Sequence, residues 1–342
     1  AFWAIQRNTV WKDEFTLWSD SVKKSPDKAR PYNNLGMACI HKGMYDEAIR
    51  EYQRAQHIDP DYAEAYNNLG NTYAYKGMFE EAIREYQRAL HIDPNYANAY
   101  NNLGNVYINK GMFEEAIREY QQALHINPNY ADAYNNLGNT YAYKGMFEEA
   151  IREYQRALDI DPNYGRTHLN LGIAYASKGM DDEAIGEYQR ALKLDPDYAE
   201  AHMNLGIAYA NKRMFNEAIR EYQKVLILEP DSAGAHMNLG VAYANTGMFE
   251  EAIREYQRAL RIKPDFTEAL YNLGNAYSYK GKYDEAIRAY QNAVQINPYF
   301  AEAHYKLGAI YYHRKQYNLS MRHFKLIEKL DYPIPLEFRE ML

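Results

Sequence analysis

Histidines stand at 168, 202, 236 and 304, separated by one or two steps of 34 residues. Four imidazoles in register invite a metal reading, since zinc takes nitrogen ligands at about 2 Å. The spacing argues against it. Equivalent side chains on successive packed helices stand roughly 10 Å apart, too far for one ion to bridge. The column falls on an apolar helix face, so a packed, hydrogen-bonded histidine is expected and no metal is assigned. A second column is asparagine. Asn34, Asn68, Asn102, Asn136, Asn170, Asn204, Asn238 and Asn272 share the step of 34, and Lys306 breaks it. A primary amide offers two donors and an acceptor, so a row of them can hold an extended peptide backbone without reading its side chains. Alternatively each caps a local backbone group or bonds the neighbouring repeat.

The remaining candidates for chemistry are weaker. Glu80, Glu81, Arg84, Glu85 and Arg88 recur along the chain. They read as a solvated helix face, with Glu80–Arg84 as an i,i+4 pair. The methionines at 44, 78, 112, 146, 180, 214 and 248 fall in a turn, where a flexible side chain fills gaps. Cys39 is the single cysteine, which excludes an internal disulfide and a cysteine-rich zinc site. No G-x-x-x-x-G-K-[ST], H-E-x-x-H or G-x-S-x-G pattern is present, so no catalytic residue and no cofactor is expected.

These columns are positioned by a repeat. Nine units of 34 residues fill 29–334 of the 342 residues, leaving 1–28 as an N-terminal stub and capping half-repeat and 335–342 as a tail. With Ala63 as position 1, Tyr66, Leu69, Gly70 and Tyr73 mark one face of a first helix, and Gly77 ends it. Phe79, Ala82, Ile83, Tyr86, Ala89 and Leu90 mark a second amphipathic helix, and Pro94-Asn95 turns the chain toward the next unit. Gly70 has an equivalent in every unit despite its cost of roughly 1 kcal/mol inside a helix, which implies a close approach to Ala82 and Ala89 opposite. One helix pair cannot bury its apolar faces alone, so the units must stack into a continuous core. The net charge of −7 argues against a phosphate-binding surface, and hence against nucleic acid. No apolar run is long enough to span a bilayer, so the array itself is not expected to insert into a membrane.

The pattern Tyr66, Leu69, Gly70, Tyr73, Ala82, Tyr86, Ala89 and Pro94 resembles the tetratricopeptide repeat (TPR) over 29–334. The resemblance implies an all-α, right-handed α-solenoid of tandem helix–turn–helix units. Its first helices would line a concave groove that holds peptides or partner proteins. Departures are Cys39 for a tyrosine, Arg213 and Lys315 at the turn glycine, and Ser320, Ile327 and Tyr332 in the last unit. Trp11, Phe15, Trp18, Val22 and Pro26 match a second helix, so 10–25 reads as a half-repeat capping the stack. The stretch from Gln6 to Pro26 is also similar to a junction in large bacterial membrane proteins, where a glycosyltransferase-like domain precedes such repeats. That resemblance would make Ala1–Ile5 the stub of a membrane helix and place the array on the extracytoplasmic face. Arg7, Lys12, Lys23 and Lys24 fit the cytoplasmic side instead, and compartment stays open between the two.

The expected function is a non-catalytic scaffold for protein or peptide segments. The alternative is the regulatory or substrate-presenting part of a membrane-bound glycosyltransferase. Self-association stays open. The proposed contact surface is the asparagine column with positions 5 and 9 beside it. There repeats 2–4 carry Asn71, Asn105 and Asn139 in a polar strip, whereas repeats 5–7 carry Leu169, Ile173, Met203, Ile207, Met237 and Val241. Bound segments would set polar parts against the first strip and hydrophobic anchors against the second, unless positions 5 and 9 pack between repeats.

Overall fold

The computed structural model describes residues 12–330, 332–335 and 338. Among them are nineteen α-helices and no strands, giving an all-α solenoid of helix pairs. The template repeat is the pair Ala63–Tyr75 and Phe79–Ile92, and the same lengths recur along the array. Each helix packs on its repeat partner and on the adjoining helix of the next repeat. The chain forms two compact bodies, up to Ala174 and from Tyr175 onward, each built from the same pairs. Within each body, first helices of successive repeats approach one another more closely than second helices do.

Local chemistry explains each boundary. At the end of the first helix Gly77 adopts φ 73°, its N–H reaches the Ala74 carbonyl, and the Met78 N–H reaches the Tyr73 carbonyl. This is a Schellman cap, which satisfies carbonyls that the helix leaves open. Between repeats the Asp93 carboxylate accepts from the Asn95 N–H at 3.0 Å, closing an Asx turn around Pro94.

The helix glycines have a different neighbour from the alanines anticipated. A Cβ at Gly70 would lie 2.7 Å from Cε1 of Tyr86, and Gly36, Gly104, Gly138, Gly206, Gly240 and Gly274 face the corresponding tyrosine in the same way. The tyrosine ring of the second helix lies flat on the glycine backbone, and Ala82 and Ala89 are buried on either side of it. The charged face is also arranged differently. Arg84 pairs with Glu81 at 3.4 Å, while Glu80 takes Lys110 of the next repeat at 2.5 Å. The same inter-repeat bridge joins Lys76 to Asp46 and Arg314 to Asp284. A carboxylate in the first turn of a helix is better placed to meet a cation arriving from the following repeat than to reach along its own helix.

The N-terminal helix Glu14–Lys24 is held by an Asp13–Thr16 capping box, and its Phe15, Trp18 and Val22 pack on the core of repeat 1. At the other end Ser320 donates to the Gly308 carbonyl at 2.8 Å. Phe338, in the segment read as a tail, is 1 % exposed and stacks on Phe324.

Candidate functional site

The asparagine column lies half-buried on the first helices, and its amides tie repeats together. Asn68 donates to Asn33 Oδ1 at 3.0 Å, Asn102 to Asn67 at 3.1 Å, Asn136 to Asn101 at 3.1 Å and Asn170 to Asn135 at 3.2 Å. The acceptors at position 5 are buried between repeats, which is why their carbonyls need a donor. Asn34, at the start of the column, meets Asn33 of its own helix. The ladder changes in the second body. Asn204 turns to the Glu200 carbonyl and Asn238 to the Met203 sulfur, because Leu169 and Met203 stand where the preceding repeat would offer a position-5 asparagine. Asn272 is half-buried like the rest.

Position 9 is anchored from behind. Asn71, Asn105, Asn139 and Asn275 each accept from the tyrosine hydroxyl of their own repeat, Tyr86, Tyr120, Tyr154 and Tyr290, at 2.7–2.8 Å. Each such amide keeps its ring-bonded carbonyl inward. In repeats 6 and 7 the same position is Ile207 and Val241, of which Ile207 is 39 % exposed. Ile173 is half-buried, and Met203, Met237 and Val241 are half-buried as well. Leu169 is 2 % exposed and sits inside the core.

The histidine column is structural in its contacts. His202 faces Glu221 through Nδ1 at 2.6 Å and the Pro196 carbonyl through Nε2 at 2.9 Å. His236 makes the same two contacts with Glu255 and Pro230. Both ring nitrogens thus have a polar neighbour on a packed helix face, which fixes the ring in place. His168 reaches the Pro162 carbonyl, and His304 meets Pro298 and His323. Among the described residues no cluster of three or more metal-ligating side chains is present. Cys39 is buried, and that burial raises its thiol above the ordinary range.

A model of the TPR repeat matches eight overlapping or adjacent stretches between 36 and 313: 36–77, 70–111, 104–145, 138–179, 174–212, 215–247, 246–278 and 274–313. The chain belongs to the TPR repeat family. Solved TPR-like structures agree at the level of fold. The chain is similar to Pseudomonas aeruginosa pilF, with 21 % identity, 64 % of this chain and 97 % of that chain covered, and a TM-score of 0.55. It is similar to the APC/C hetero-tetramer Cut9-Hcn1, with 18 % identity, 89 % and 57 % covered, and a TM-score of 0.54. YrrB, described as a TPR protein with an unusual peptide-binding site, aligns at 30 % identity over 54 % of this chain and 95 % of its own, with a TM-score of 0.49. The comparison with curated proteins gives no match.

For this TPR chain, the sequence brought out the asparagine and histidine columns but not their partners. The position-5 acceptors, the tyrosine hydroxyls behind position 9, and Glu221 and Glu255 behind the histidines all come from other helices. A signal was present in the repeat itself: tyrosine recurs opposite position 9 in repeats 1–8 whatever stands there, and Phe324 takes its place in the last. Of the N-terminal resemblance, residues 1–11 lie outside the described residues. No described helix is long and apolar enough to cross a membrane.

Proposed function

We propose that the chain is a non-catalytic scaffold that binds extended protein segments along its first helices. The observation that carries this is the amide ladder of repeats 1–5. Asn68, Asn102 and Asn136 each spend one amide N–H on the preceding repeat, and Asn170 donates to both Asn135 and Asn139, which holds each rotamer. The Asn102 and Asn136 side chains retain a second N–H and a carbonyl oxygen, the complement of a peptide backbone. A side chain already held in place loses less entropy on binding, so its hydrogen bonds translate more fully into affinity. The closer approach of successive first helices makes their side the inner, more crowded face of each body.

The test uses phage-displayed peptides selected on the wild-type chain and measured against Asn102→Ala/Asn136→Ala. Affinity should fall at least about tenfold, the loss of one or two net hydrogen bonds. Thermal stability should fall by roughly 1 kcal/mol per broken rung. Selected peptides that bind the double variant as tightly as wild type would leave the ladder a purely inter-repeat device.

A further inference from the structure

Repeat 1, like repeats 5–7, lacks the asparagine that anchors position 9 in repeats 2–4 and 8. Its residue there is Met37, not asparagine, yet Tyr52 lies on Gly36 with the same geometry as Tyr86 on Gly70: an added Cβ would meet Cε1 at 2.6 Å in one and 2.7 Å in the other. The Tyr52 hydroxyl therefore occupies the place where Tyr86, Tyr120, Tyr154 and Tyr290 find an asparagine carbonyl, but the residue at position 9 here is a methionine, which offers no such acceptor. Tyr52 is 2 % exposed and has no hydrogen-bond partner among the described residues. No described side-chain oxygen is both sealed from solvent and without a partner, so this hydroxyl opens outward. It opens into a pocket of about 240 Å³ in the first body. Met37 and Ile40 supply apolar wall, and Tyr45 and Tyr75, stacked at 4.9 Å between centroids, supply an aromatic one. Asn71 lines the same pocket with its carbonyl already taken by Tyr86, and its amide N–H groups are the hydrogen-bonding capacity it has left.

We infer that this pocket receives a tyrosine side chain of the bound segment, a specificity element of the groove proposed above and resting on that reading. Two donors, the Tyr52 hydroxyl and the Asn71 amide, converge on a space whose walls suit an aromatic ring. Offset stacking on the Tyr45–Tyr75 pair extends an aromatic surface already present, and Tyr75 is 75 % exposed and open to a further ring. The lining holds no carboxylate or ammonium group, and its one titratable cation candidate, His41, already faces Glu14 at 3.2 Å. An uncharged side chain with a terminal acceptor fits this chemistry. The phenolic oxygen accepts from Tyr52 and Asn71, and a phenylalanine would leave both donors unmet.

The experiment uses p-cresol and toluene, the side-chain analogues of tyrosine and phenylalanine, titrated into the full chain and followed by the Met37 methyl resonance. p-Cresol should bind about five- to tenfold more tightly than toluene, as one neutral hydrogen bond does. Tyr52→Phe keeps the ring on Gly36 and should remove most of that preference. Met37→Asn installs the acceptor that repeats 2–4 and 8 use, and should remove it too while leaving the fold intact. Failure of p-cresol to bind, or equal affinity for toluene, overturns the inference. An unchanged preference in both variants overturns it equally. The pocket and the ladder are separable, because Asn102 and Asn136 lie outside the pocket. If their double variant leaves peptide affinity unchanged while p-cresol still discriminates, the ladder reading fails and the pocket stands. The converse result sinks the pocket alone.

Discussion

Arg213 holds a backbone conformation that glycine holds in seven other repeats. Its φ is 59°, where the turn glycines range from 71° to 79°. For a residue with a Cβ the left-handed region costs about 1–2 kcal/mol. Replacing arginine by glycine relieves that strain but gives the unfolded chain more freedom, which costs roughly 0.5–1 kcal/mol. Among the described residues Arg213 makes no side-chain hydrogen bond or ion pair, so little else is lost. The turn it serves is intact, with its N–H on the Ala210 carbonyl and the Met214 N–H on the Tyr209 carbonyl at 2.8 Å. Arg213→Gly should therefore stabilise the second body by about 1 kcal/mol at most. In a cooperative body of this size that raises Tm by about 2–4 °C in a calorimetric or circular-dichroism melt. Gly247→Ala is the control. A Cβ there meets nothing within 4 Å, so its cost is the φ of 79° and nothing else. If Gly247→Ala lowers Tm while Arg213→Gly leaves it unchanged or lowers it, strain at 213 is not the governing term and the reasoning fails.

Gly70→Ala should destabilise by about 1–3 kcal/mol, because its Cβ would sit 2.7 Å from the Tyr86 ring. Shortening the ring with Tyr86→Leu in the same chain should make the added methyl much less costly, which a double-mutant cycle in urea would show as coupling. His304 and His323 face each other through Nδ1 at 2.8 Å, and one must be the acceptor. Burial, the neighbouring His304 and Arg322 hold the His323 imidazole down at about 4, and burial also lowers His304. The unfolded chain thus binds more protons than the folded one in this range, and stability rises with pH. The contribution is present above the unfolded value of about 6.5 and is lost as pH falls toward about 4. Amide protection factors over 301–328, with the intrinsic pH dependence of exchange divided out, should fall on acidification across that window in wild type, and the dependence should flatten in His323→Leu.

The array was legible because each element is written locally and then repeated. Period, helix phase, the Asn95 turn and the left-handed position at Gly77 all follow from residues within a few places of one another, and nine copies remove ambiguity. Even Arg213 and Lys315 stood out in advance, since a turn demanding positive φ constrains one residue and no partner. Pairing was not legible in the same way. The i,i+4 rule placed Glu80 with Arg84 on one helix, yet packing brings Lys110 to Glu80 from the next repeat. The glycine column announced a close approach, but only the folded pair shows that the tyrosine ring fills it. Asn68 could equally have faced a ligand or the preceding repeat until the stack brought Asn33 to 3.0 Å. Met37 in the sequence is one more apolar substitution, and only the folded chain shows that it and Tyr52 line one pocket. Backbone preferences act through neighbouring residues along the chain and are therefore written in order. Side-chain partners here lie from about half a repeat to a whole repeat apart and depend on how helices settle on one another, so the tertiary structure alone decides them.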